Sequence, residues 1–82
     1  MSSSVVSERL RKTLADIFDI PADEVTPDLM AGSIPAWDSV GHLQAILALE
    51  TEFGVQFDPE RMANLTSVRR LQAELESLGV RD

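Results

Sequence analysis

The chain has 82 residues, of which 44% are hydrophobic, and it has no cysteine. One small domain over residues 1–82 is expected, held together by helix packing without disulfides or thiolate-bound metal. Seven basic residues against fourteen acidic ones leave a formal charge of −7. That charge argues against nucleic acid as a partner and for proteins with basic surfaces. No apolar stretch approaches a membrane span, and the opening residues lack the pattern of a secretory signal. A soluble, cytoplasmic, monomeric protein is therefore expected.

The opening "SSS" offers serines that can cap a following helix. Apolar residues then recur at Val6, Leu10, Leu14, Ile17 and Phe18. This spacing predicts a first helix from about Ser4 to Asp19, ended by Pro21. The segment from Ile20 to Trp37 holds three of the four prolines and has no sustained period. It reads as a long loop with room for a short turn of helix. Val25, Leu29, Ile34 and Trp37 are the candidates to pin it to a core.

Asp38 is a good N-cap for "SVGHLQAILALETEF", and Gly54 fits the left-handed position that closes such a helix. Asp58 followed by Pro59 predicts a short third helix. Thr66 or Ser67 caps a last helix whose stripe is Val68, Leu71, Leu75 and Leu78, closed by Gly79. No segment reads convincingly as a strand. The expected fold is all-α: three longer helices and one short one in a small bundle, with a long loop between the first two.

On a helical wheel, Ala45, Ile46, Leu49 and Phe53 form the core stripe of the second helix. Val40, Leu43 and Leu47 fall in a neighbouring sector, bordered by Gln44, Glu50 and Thr51. Gly41, Ala48 and Glu52 take the remaining side. This apolar arc is wider than one packing face requires. Either Leu43 joins the core of a central helix, or it shares with Val40 and Leu47 an exposed docking patch with an acidic rim.

The stretch "WDSVGH" brings together an acid, a hydroxyl and an imidazole. A hydrolytic triad needs all three in one line of hydrogen bonds. Asp38 is already needed as the cap, and no oxyanion hole is evident. A lone histidine without cysteine makes a poor metal site, so His42 reads as a packing or surface residue. Ser39 lies at the positive end of a helix, where a phosphate is favoured. It either helps to start the helix or serves as a covalent attachment point, and physics alone leaves both open.

The stretch "AWDSVGHLQAILALETEFGVQF" resembles the acyl carrier protein family. The match is Asp38-Ser39-Val40, opening a helix that ends in "ETEFG". The helix order and the "LTSV" before the last helix extend the likeness over nearly the whole chain. The resemblance implies that the chain is a carrier, not an enzyme. It implies a 4′-phosphopantetheine arm on Ser39, installed from coenzyme A by a phosphopantetheinyl transferase, whose thiol holds an acyl group as a thioester. Asp38 matches the acid before the modified serine. Val40, Leu47 and Glu50 match positions read by partner enzymes that load and use the acyl group. Leu43 and Gln44 complete the expected docking set.

Val40 stands where leucine is usual. Gly41 and Gln44 lower the negative charge of the helix that partners read, and Gly41 lowers its helix propensity by about 1 kcal/mol relative to alanine. These departures, and a tryptophan similar to that of stand-alone carriers, imply a specialised pathway such as secondary metabolism or aminoacyl loading. Asp38 favours an acyl over a peptidyl carrier. An unmodified carrier-like interaction domain is the alternative.

Overall fold

Helix α1 spans Glu8–Phe18 in the computed structural model, which describes residues 7–80. It starts four residues later than its apolar period suggests. Ser7, not one of the opening serines, caps it by accepting the Leu10 N–H at 3.2 Å. Ser4 and Val6 lie outside the described residues. Leu10, Leu14 and Phe18 are buried, and Ile17 packs partly buried beside them. The helix stops before Pro21, at Asp19, which adopts a left-handed conformation with φ 57° and returns its N–H to Ala15.

The chain from Ile20 to Asp38 folds over the bundle and makes a single 3-10 turn at Ala22–Glu24. Val25 and Trp37 are fully buried, while Leu29 and Ile34 pack partly buried against the core. Its backbone is also tied down. Ala31 N–H donates to Thr66, Val68 N–H to Leu29 and Arg69 N–H to Pro27. An isolated antiparallel bridge joins Met30 and Ser67. The loop thus satisfies its polar backbone against the start of the last helix, as a half-buried loop must.

Helix α2 runs Ser39–Phe53 and closes at Gly54 with φ 66°. Helix α3 is one turn, Pro59–Met62, capped by Asp58 through Glu60 N–H. Helix α4 spans Val68–Ser77 and is capped by Ser67. Among the described residues these four helices, the 3-10 turn and the isolated bridge are all the regular structure. The core joins Leu10, Leu14 and Phe18 of α1 with Ala45, Ile46 and Leu49 of α2 and Val68, Leu71 and Leu75 of α4. Leu78 departs from its expected stripe: it follows the last helical residue and is exposed. Each fully buried leucine contributes about 2 kcal/mol through lost water contact.

Candidate functional site

The start of α2 is built by its cap. Asp38 accepts the Gly41 N–H at 2.8 Å through its carboxylate, and its carbonyl accepts the His42 N–H. Ser39 is the first helical residue and is exposed. Asp38 takes the Gly41 N–H, and the positive end of the helix dipole favours an anion held on this serine. Beside it, Ser39, Ala31, Gly32, Trp37, His42 and Thr66 help to line a pocket of about 430 Å³. An exposed hydroxyl at a helix start beside an open pocket fits a phosphate-linked arm.

Gly41 overturns the expectation that it thins charge on an outward face. It is buried, and a Cβ there would lie 1.8 Å from the carbonyl oxygen of Ala36. The loop backbone crosses the first turn of α2 so closely that no side chain fits. Of the two departures, only Gln44 bears on the charge that a partner would meet.

His42 is more than a packing or surface residue. Trp37 donates its indole N–H to His42 Nδ1 at 3.0 Å, and His42 Nε2 lies 2.8 Å from the carbonyl oxygen of Met62. Since Nδ1 accepts, Nε2 carries the proton and donates to Met62. Both ring nitrogens are thereby engaged away from Ser39, and no Ser39–His42–Asp38 line is assembled. The sequence signal was a tryptophan in a loop anchoring position, because a buried indole N–H needs an acceptor.

The second apolar sector of α2 faces outward. Val40 is 63% exposed, Leu43 54% and Leu47 53%, so Leu43 belongs to the patch and not to the core. Gln44 is exposed beside them. Glu50 is only half-exposed, and one of its oxygens accepts the Phe57 N–H at 2.8 Å. Its first task is to hold the turn after α2. No lysine or arginine occurs anywhere in α2.

No family model matches the chain. An acyl carrier protein of Nitratidesulfovibrio vulgaris is 30% identical over 64 residues, 78% of this chain and 84% of its own length. The chain belongs to the acyl carrier protein family. A second member, the acyl carrier protein of Thermosynechococcus vestitus, is 29% identical over 69 residues, covering 84% of this chain and 85% of that one. Family membership accords with the all-α fold and with the helix order read along the sequence.

Proposed function

We propose that this chain is a carrier domain that holds an acyl group as a thioester on a 4′-phosphopantetheine arm attached to Ser39. The observation that carries this reading is an exposed serine at the first position of an Asp-capped helix, next to a pocket and an exposed apolar patch, in a member of this family. When bound, the arm supplies the thiol that a chain without cysteine lacks.

Ser39 reacts once, when the arm is installed. Its Oγ would bond to the phosphorus that bears pantetheine, the pyrophosphate linkage of coenzyme A would break with adenosine 3′,5′-bisphosphate as the leaving group, and the hydroxyl proton would pass to a base on the phosphopantetheinyl transferase. Asp38 keeps the helix start in place and so fixes the backbone that carries Ser39. The new phosphodiester sits at the positive end of α2. Val40, Leu43 and Leu47 give partner enzymes an apolar anchor, with Gln44 at its edge and Glu50 behind it. A helix without lysine or arginine suits partners with basic docking surfaces.

Gln44 and Val40 support a specialised acyl pathway over bulk fatty acid synthesis, and Asp38 supports an acyl over a peptidyl subtype. Incubation with coenzyme A and a broad-specificity transferase, followed by intact-mass spectrometry, tests the proposal. One added phosphopantetheine is expected, and none in Ser39→Ala. No addition to the native chain would favour an unmodified interaction domain.

A further inference from the structure

A second groove continues the exposed patch of α2 towards α1. Leu47, Ala48 and Thr51 of α2, with Thr13, Asp16 and Ile17 of α1, line about 420 Å³ of mostly apolar space. On each helix these positions fall within about one turn, so each helix contributes one strip. Leu47 belongs both to the patch and to the groove. Glu52 also lines it, but its charge is already met. Arg9 bonds the Glu52 carboxylate at 3.2 Å and its carbonyl at 2.6 Å, and lies over the Phe53 ring. Thr13 donates its hydroxyl to the Arg9 carbonyl of its own helix. Asp16 is exposed and takes part in none of the ion pairs found among the described residues. The groove thus combines an apolar lining with one open carboxylate.

We infer that this groove receives a lysine or arginine side chain of the phosphopantetheinyl transferase, with its methylene stem on Ile17, Leu47 and Ala48 and its charge against Asp16. This rests on the carrier reading above. Such side chains join an apolar stem to a cationic tip, the two chemistries the groove offers. A partner that covers Leu47 is already at the groove's edge. The transferase meets the chain before any arm exists, so the protein surface alone must hold it, and contacts remote from the reacting atoms supply that binding. Leu47 lies about 12 Å along the helix from Ser39. Asp16 therefore acts on docking and not on the transfer step.

The test measures KM and kcat of a broad-specificity transferase for the unmodified chain and for three variants. Asp16→Lys should raise KM by about tenfold with kcat unchanged, and the effect should shrink as salt screens it. Ala48→Met fills the groove without altering charge and should raise KM by about fivefold. Both variants should keep the native circular dichroism spectrum. Glu76→Lys makes the same change in net charge on α4, outside the groove, and should leave KM within about twofold. A KM unmoved by Asp16→Lys, or raised as much by Glu76→Lys, overturns the inference. So does a KM raised by Asp16→Lys but not by Ala48→Met, which would leave a long-range field and no seat for a side chain. A native chain that accepts no arm is a different failure: it sinks the carrier reading itself, and the role of the groove with it.

Discussion

Helices α2 and α4 use apolar residues differently. In α4, Val68, Leu71 and Leu75 are buried, and the exposed positions include Arg69, Arg70 and Glu76. In α2, Ala45, Ile46 and Leu49 are buried, yet Val40, Leu43 and Leu47 remain more than half exposed. One helix carries what the core needs; the other carries a second apolar set that folding does not use. Exposed apolar surface concentrated on one helix, beside Ser39, is where a partner is expected to bind.

The sharpest way to break the comparison is to remove one leucine from each helix. Leu71→Ala, from the fully buried set, should lose about 2–5 kcal/mol in urea unfolding. Leu43→Ala, on the outer face of α2, should stay within about 0.5 kcal/mol of the native chain. Equal losses would mean that the outer face of α2 is structural. Gly41→Ala probes the packed start of α2. A clash costing about 1–3 kcal/mol opposes a helix-propensity gain of about 1 kcal/mol. Because the obstacle is the Ala36 backbone, the loop must move. A net loss of stability and a slower modification of Ser39 are expected.

Asp38→Ala removes a cap and should lower the unfolding free energy by about 1 kcal/mol. Leu47→Ser should leave the urea midpoint nearly unchanged. It should raise the transferase KM by about tenfold, the equivalent of one apolar anchor worth about 1.4 kcal/mol. A KM unmoved by Leu47→Ser would place docking elsewhere.

Where a signal is local, the sequence was enough. Asp38, Gly54 and Asp58 with Pro59 each mark a helix end from within a few residues and each is found there, and of the two candidates Thr66 and Ser67 the cap of α4 is Ser67. The start of α1 differs from the apolar period because that period runs on to Val6, upstream of the Ser7 that caps the helix. What could not be read was the contact made across the chain. Gly41 shows a helical position on a wheel but not the Ala36 carbonyl that crosses it. His42 gives no sign that it joins Trp37 to Met62, twenty residues further on. Glu50 looked like the rim of a docking face until the turn after α2 brought the Phe57 N–H to it. The partners come from the long loop, the turn after α2 and the short third helix, and none of these has a period to read.

The most direct test of the central claim is to map the modification within the chain. The protein would be produced together with a broad-specificity phosphopantetheinyl transferase and digested with trypsin. Residues 13–61 form one peptide between basic cleavage sites, and it contains both Ser33 and Ser39. Fragmentation should place one phosphopantetheine on Ser39 and none on Ser33. An unmodified peptide, or an arm on any residue but Ser39, would contradict the account.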